Sequence, residues 1–218
     1  FKKINGEING ILVKDGDIKL TVSPEISIIS NFNSDIKYQN SLKNGYSKLL
    51  KKFENFKEIT EIEAVLKNNL KINFDKTYKI KDYNLSSRGE IIKGSLKIEN
   101  PLSSEILQEK IDQFSIIDTD LKIDFDSKSK NFSLSGKYST EIEKFLNYNI
   151  KGNIEKAFSR YEIDAEIDKK IDIKQINYSK KKNLISNLSL IFEISKKKLI
   201  LKKLVFVENN NKILVDDL

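Results

Sequence analysis

Two residue types that carry much of enzyme and metal chemistry are absent from this chain. Its 218 residues include no cysteine and no histidine. Without cysteine there is no thiol nucleophile, no disulfide framework and no thiolate zinc site, and without histidine there is no imidazole general base. No carboxylate is singled out by its sequence context for acid–base work. We therefore expect no enzymatic activity, no cofactor and no metal.

Arginine is also scarce, although the chain is basic. Of the 39 basic residues only Arg88 and Arg160 are arginine, and the net charge is +7. Lysines alternate with acidic residues along most segments, so no surface of a single sign is predicted. Because bidentate recognition of bases and phosphates favours arginine, we expect no nucleic-acid partner.

Long apolar runs are missing as well. No stretch of about 18 apolar residues exists, so the sequence predicts no transmembrane helix. The chain begins with Phe1 and has no methionine, and we expect it to be a segment of a longer protein whose signal or anchor lies outside it. Hydrophobic residues make up 39% and charged residues 33%, which favours a thin sheet with one wet face over a compact core.

What the chain does contain is alternation of apolar and polar residues, clearest between residues 184 and 215. Side chains at alternate positions of a strand lie on the same face. A polar turn separates the first strand from the second, and a slip at Lys202–Lys203 indicates a β-bulge. Five alternating apolar positions of these two strands are candidates for a shared apolar face: Leu188, Leu190, Phe192, Leu201 and Phe206.

A second hairpin is predicted between residues 121 and 138. Its two strands alternate apolar with polar residues, and the polar segment 127–131 forms the turn. Asp15–Gly16 also predicts a hairpin turn, and the stretch 86–89 predicts a break between two strands. The apolar positions chosen from the second hairpin are Leu121, Ile123, Phe125, Phe132 and Leu134.

Two stretches have helical spacing instead. Apolar residues of 41–57 recur at intervals of three and four, which predicts an amphipathic helix. In 101–114 the apolar residues again form one stripe, and Asn100 and Pro101 suit the N-cap and the first helical position. Both helices are expected to be short insertions.

Roughly a dozen short strands, separated by turns at the spacing typical of all-β domains, dominate the chain. We therefore predict a mainly β fold, an antiparallel amphipathic meander that forms an elongated, twisted sheet or groove in one segment covering 1–218. The alternative is a closed β-sandwich or barrel, which would serve as a non-catalytic adhesion or scaffold module.

The segment from Ser186 to Val215 resembles one found near the end of AsmA-like domains, in large bacterial envelope proteins of the AsmA, TamB and YhdP type. The shared pattern is a strand, a short turn, a strand of the form L-x-L-x-x-L-x-F and another polar turn before a third strand. The hairpins at 121–138 and 8–22, and the stretch 78–91, are similar in style.

The resemblance implies a β-groove with an apolar interior that binds lipid acyl chains and supports phospholipid transport or outer-membrane maintenance. It implies a periplasmic location, with an inner-membrane anchor outside this chain. The expected partners are a phospholipid or another acyl lipid, with a membrane surface and other envelope proteins as further candidates. The ten apolar residues chosen from the two hairpins would line the groove.

Overall fold

The structure is a computed structural model that describes residues 1–8, 11–23, 25–39, 58–102, 105–107, 109–141, 144–195 and 198–216. Strands hold 79% of the described residues, and they are antiparallel. The mainly β prediction is therefore confirmed. The predicted helix over 41–57 lies outside the described residues.

Fourteen strands and one short 3₁₀ turn, Lys174–Ile176, make up the described part of the chain. The strands are β1 Ile4–Ile8, β2 Ile11–Thr21, β3 Ile26–Gln39, β4 Glu58–Phe74, β5 Ile80–Leu102, β6 Ile111–Asp126, β7 Ser129–Ser139, β8 Leu146–Glu155, β9 Ser159–Ile167, β10 Ile171–Ile173, β11 Tyr178–Lys180, β12 Ser186–Ser195, β13 Lys198–Glu208 and β14 Asn211–Asp216.

Twelve of these strands form one sheet in nearly the order of the chain. Each strand from β1 to β9 pairs with the next, β12 then pairs with β9, and β13 and β14 complete the series. The remaining two strands, β10 and β11, form a separate hairpin in the connection between β9 and β12. The sheet is not closed into a barrel, so the barrel alternative is wrong.

The helix predicted over residues 101–114 is wrong. Pro101 and Leu102 end β5, Leu107 forms an isolated bridge with Ile171, and residues 111–114 begin β6. The helical spacing is overridden because Phe114 pairs with Leu96 across β5 and β6. The last residue pair between β4 and β5 is Glu58 with Lys97. Pro101 lies beyond that pair, so the N–H that proline lacks costs no hydrogen bond to β4.

Two predicted turns are also wrong, because both lie within strands. Asp15–Gly16 is an irregularity inside β2, where Asp15 has a φ of 50° and the register with β3 shifts between Lys14 and Asp17. The same positive φ that suits a hairpin turn also suits a bulge. The stretch 86–89 lies in the middle of β5, which runs unbroken for 23 residues.

The bulge predicted at Lys202–Lys203 is confirmed. Ile191 pairs with Lys203, but the next residue, Phe192, pairs with Leu201, so Lys202 is the extra residue. The insertion shifts the alternation of β13 by one position. As a result, the apolar residues on both sides of the bulge remain on the same face of the sheet.

The strands end at two opposite borders of the sheet, and the two borders carry different connections. The turns at 75–79, 127–128 and 156–158 lie at one border, together with the end of β2 and the start of β3, and we call it the open border. At the opposite border β5 connects to β6, β7 to β8, β9 to β12 and β13 to β14. The β10–β11 hairpin belongs to this second border, which we call the hairpin border.

Candidate functional site: the apolar face of the sheet

The strand register places apolar residues from neighbouring strands in continuous rows on one face. One row runs from Leu121 through Leu134 and Ile150 to Ile163 and Leu190. Residues directly opposite each other on paired strands point to the same side of a sheet. The row is therefore a band of side chains on a single face, which we call the apolar face.

A second row is largely aromatic. Ile123 pairs with Phe132, Phe132 with Gly152, Gly152 with Tyr161, and Tyr161 with Phe192. The rings of Phe132 and Tyr161 have centroids 6.4 Å apart, and those of Tyr161 and Phe192 stack at 5.1 Å. Such contacts add about 0.5–1.5 kcal/mol per pair beyond area burial. The row continues into β13, because Phe192 pairs with Leu201.

All ten sequence-predicted residues lie on this apolar face. Leu188 pairs with Phe206 in β13, and Phe125 pairs with Leu85 in β5. The other seven belong to the two rows described above. The structure therefore brings the site residues of the two predicted hairpins, which are more than fifty positions apart in the chain, onto one surface.

The first half of the chain extends the same face, and none of the sequence-predicted site residues came from it. Leu85 pairs with Leu70, Ile28 with Ile72, and Ile36 with Ala64. The alternation of β3 and β4 carried this signal, but polar residues such as Ser30 and Asn68 interrupt it. From β8 and β9, Tyr148, Ile150, Tyr161 and Ile163 also belong to the face.

Burial distinguishes the apolar face from the opposite one. Ala64 and Leu66 are 2% and 8% exposed, whereas Val65, which lies between them and points to the other side, is 45% exposed. A flat, uncovered sheet would leave its two faces similarly accessible. The apolar face is therefore the enclosed side of the sheet at this point.

Exposure on the apolar face rises sharply at the open border. Leu20, Ile80 and Leu199 lie on this face near the turns and are 59%, 61% and 67% exposed. Toward the hairpin border Tyr148 and Phe206 are buried. The apolar face is thus accessible from the open border and enclosed at the hairpin border.

The β10–β11 hairpin contacts the apolar face at the hairpin border. The ring of Tyr178 packs edge-on against Phe206, with centroids 5.9 Å apart, and its hydroxyl donates a hydrogen bond to Glu208. Burial, together with this carboxylate, raises the pKa of Tyr178. The neutral phenol is thereby retained as a hydrogen-bond donor.

Ion pairs hold the connections of the hairpin border together. Lys182 lies 3.3 Å from Glu109 and 3.4 Å from Glu141. Lys169 contacts the same two carboxylates, and Lys144 pairs with Asp168 at 2.6 Å. Because Lys169 and Asp168 are buried, removing the partner of either one would leave a buried charge uncompensated, which is costly.

Lys180 is the most deeply buried charged side chain among the described residues. Its ammonium donates to the carbonyl oxygens of Lys169 and Lys181, at 2.7 and 3.3 Å. Burial lowers the pKa of Lys180, while the nearby carboxylates of Asp168 and Glu208 oppose the shift. We assign this lysine to the framework that holds the β10–β11 hairpin in place.

Polar side chains that interrupt the apolar face are hydrogen-bonded to one another. The Asn68 amide donates to Ser34 Oγ at 2.9 Å, and Ser87 Oγ donates to Asn68 Oδ1 at 2.7 Å. Thr119 Oγ1 lies 3.0 Å from the carbonyl of Ile117 and 3.1 Å from the Tyr148 hydroxyl. These groups are satisfied within the sheet, so the face offers a ligand mainly apolar contact.

Within the described ranges, no group of three or more carboxylate, histidine or cysteine side chains is arranged to hold a metal ion. The described segments also contain no helix long and apolar enough to cross a membrane. Comparisons of the chain with protein-family models, with curated proteins and with solved structures give no match.

Proposed function

We propose that this chain binds the acyl chains of lipids along the apolar face of its sheet, without catalysing a reaction. The observation that supports this proposal is the continuity of the apolar rows, which cross from β6 to β13 without a charged residue. Large apolar surfaces of soluble proteins usually mark sites of interaction. A flexible hydrocarbon chain suits a face that presents many similar apolar contacts and few polar ones.

The binding energy would be spread along the face. Each buried methylene contributes about 0.8 kcal/mol, and successive rows offer similar side chains, so no single position holds a lipid much more tightly than its neighbours. A lipid enters from the open border, where Leu20, Ile80 and Leu199 are exposed. Its polar head group stays outside the face, because burying an unpaired charge there is costly.

In the proposed setting the chain is the periplasmic segment of a larger AsmA-like envelope protein, anchored in the inner membrane by a segment outside this chain. Passive sliding of phospholipid along the apolar face would support lipid transport or outer-membrane maintenance. The mechanism requires no cofactor and no energy source within the segment.

The test is uptake of a fluorescent phospholipid by the delipidated protein. The informative variants are Leu20→Asp and Leu199→Asp, which place a charge on the apolar face at exposed positions. Leu214→Asp is the matched control, because Leu214 is 50% exposed but pairs with Val205 on the polar face. We expect the first two variants to reduce uptake at least several-fold and the control to retain it.

The proposal fails if the wild-type chain takes up no phospholipid. It also fails if Leu214→Asp reduces uptake as much as Leu199→Asp, because the effect would then come from charge or stability in general. Circular dichroism of each variant shows whether the sheet is retained.

A further inference from the structure

Both arginines of the chain border one depression on the polar face, the side opposite the apolar rows. The depression has a volume of about 380 Å³ and extends from β5 to β9. Lysine supplies every other basic position in the chain. Composition therefore does not explain why both guanidinium groups border the same depression, Arg88 from β5 at one end and Arg160 from β9 at the other.

The floor of the depression consists of short polar side chains. Asn131 pairs with Asn153 across β7 and β8, and Ser133 pairs with Lys151. The Asn153 amide donates to Asn131 Oδ1 at 2.6 Å. The ring of Phe132 lies against Gly152, where a Cβ would be 2.2 Å from it. Because Phe132 belongs to the apolar face, its ring is not available for stacking from the polar side.

Arg88 is held in a fixed orientation on one side of the floor. Its Nη1 donates to the carbonyl oxygens of Ile123 and Ser87, at 2.7 and 2.9 Å, and its Nη2 donates to Asp124. An arginine has five N–H donors, so the Nε–H and one Nη2–H remain for a ligand. Burial raises the pKa of Asp124, but hydrogen bonds from Arg88 and Ser86 outweigh it and lower that pKa overall.

Arg160 borders the opposite side of the depression. Its Nε donates to Glu162 and its Nη1 to Glu193, both at 3.2 Å. These bonds leave the Nη2 donors and one Nη1 donor unused. The two guanidinium groups are therefore positioned by carboxylates but not saturated by them.

Two lysines add further positive charge. Lys122 and Lys151 line the depression, and within the described part of the chain neither ammonium group has an ion pair. Four cationic side chains thus face three carboxylates around the floor: Asp124 and Glu162 of the lining, and Glu193, which accepts a hydrogen bond from Arg160. The local excess of positive charge favours an anionic ligand.

We propose that this depression binds a phosphorylated sugar. A planar guanidinium group matches the geometry of a phosphate and can bond to two of its oxygens, and the lysines neutralise the remaining charge. The amides of Asn131 and Asn153 and the hydroxyl of Ser133 both donate and accept, as sugar hydroxyls require. The site does not depend on lipid binding, because it uses the opposite face of the sheet.

The experiment is a calorimetric titration with glucose 1-phosphate, with inorganic phosphate and glucose as comparison ligands. We expect the sugar phosphate to bind more tightly than inorganic phosphate, and glucose to bind most weakly. Arg88→Gln and Arg160→Gln should each weaken binding of glucose 1-phosphate by about tenfold or more, as for loss of a charge-assisted hydrogen bond. Arg88→Lys, which keeps the charge but loses the fork, should also weaken it.

Lys212→Gln is the control for net charge, because Lys212 lies in β14, well away from the depression. The proposal is overturned if this variant weakens binding as much as Arg88→Gln does, or if inorganic phosphate binds as tightly as the sugar phosphate. An NMR titration of the wild-type chain with glucose 1-phosphate tests the site without relying on any variant to fold. Amide signals of Asn131, Ser133 and Asn153 should shift during an NMR titration, and unchanged signals would refute the site.

Discussion

Replacing Gly89 with alanine should destabilise the sheet more than its single added methyl group suggests. Gly89 lies in the middle of β5, paired with Leu66 of β4 and Leu121 of β6. A Cβ at this position would lie 2.0 Å from the carbonyl oxygen of Val65 and 2.9 Å from the Cα of Leu66. Both of these are backbone atoms, so no side-chain rotation relieves the overlap.

The magnitude follows from the movement that the clash requires. Restoring an ordinary contact means separating β4 from β5 by about 1 Å, which lengthens neighbouring N–H···O bonds beyond hydrogen-bond range. Each lost bond costs about 0.5–1.5 kcal/mol, and overpacking itself costs about 1–3 kcal/mol. The lower entropy of the unfolded alanine chain returns about 0.4–1 kcal/mol. We therefore expect a net loss of about 3 kcal/mol for Gly89→Ala.

Gly6→Ala is the matched control, because a Cβ at Gly6 would meet no atom within 4 Å. It should leave stability unchanged or raise it by up to about 1 kcal/mol. Urea unfolding followed by far-ultraviolet circular dichroism measures both. With a slope of about 2 kcal/mol per molar urea, Gly89→Ala should lower the midpoint by about 1.5 M. Equal midpoints for the two variants would refute the reasoning.

Two further predictions concern hydroxyl groups on the apolar face. Thr119→Val removes a fully buried hydroxyl that contacts the Tyr148 hydroxyl at 3.1 Å, and it should lower the free energy of unfolding in urea by about 1–2 kcal/mol. Tyr148→Phe should cost less in the Thr119→Val background than it does alone, because the two hydroxyls share one contact. Simple additivity of the two losses would contradict this coupling. Burial, then the charges of Asp168 and Glu166, raises the pKa of Tyr138 from 10.0 to about 12. Because the folded chain then binds this proton more tightly than the unfolded chain, the free energy of unfolding falls as the pH rises from 10.0 to about 12. Tyr138→Phe should make this dependence on pH less steep. An unchanged slope would show that other groups cause it.

The alternation of apolar residues predicted the β fold and much of the apolar face, because a period of two assigns a side chain to a face before any pairing is known. The bulge at Lys202 could be predicted for the same reason. An extra residue is the simplest way to keep Leu201 and Leu204, which are three positions apart, on the same side of the strand. The direct pairing of Leu188 with Phe206 then follows from the length of the hairpin.

The wrong predictions share one physical cause, because strand pairing overrides the local preference of the residues concerned. Ser87 and Gly89 suggested a turn because neither is apolar. In the sheet, Ser87 bonds to Asn68, and Gly89 makes room for the Val65 carbonyl. Leu107 followed a helical stripe, but it forms a bridge with Ile171, 64 residues away in the chain. Such partners cannot be identified from local spacing.

The depression on the polar face could not be predicted from spacing either, because its walls come from β5 and β9 and meet only through the register of the intervening strands. The sequence did contain one signal. Arg88 and Arg160 stand out in a chain where lysine fills every other basic position.

The sequential order of the strands also has a consequence for cooperativity. Because almost every strand pairs only with its neighbours in the chain, the sheet resembles a linear array whose stability is a sum of adjacent hairpin interfaces. Such an array frays from its terminal strands inward. Hydrogen exchange should therefore be slowest in β4–β6, the longest consecutive strands, and fastest in β1 and β14.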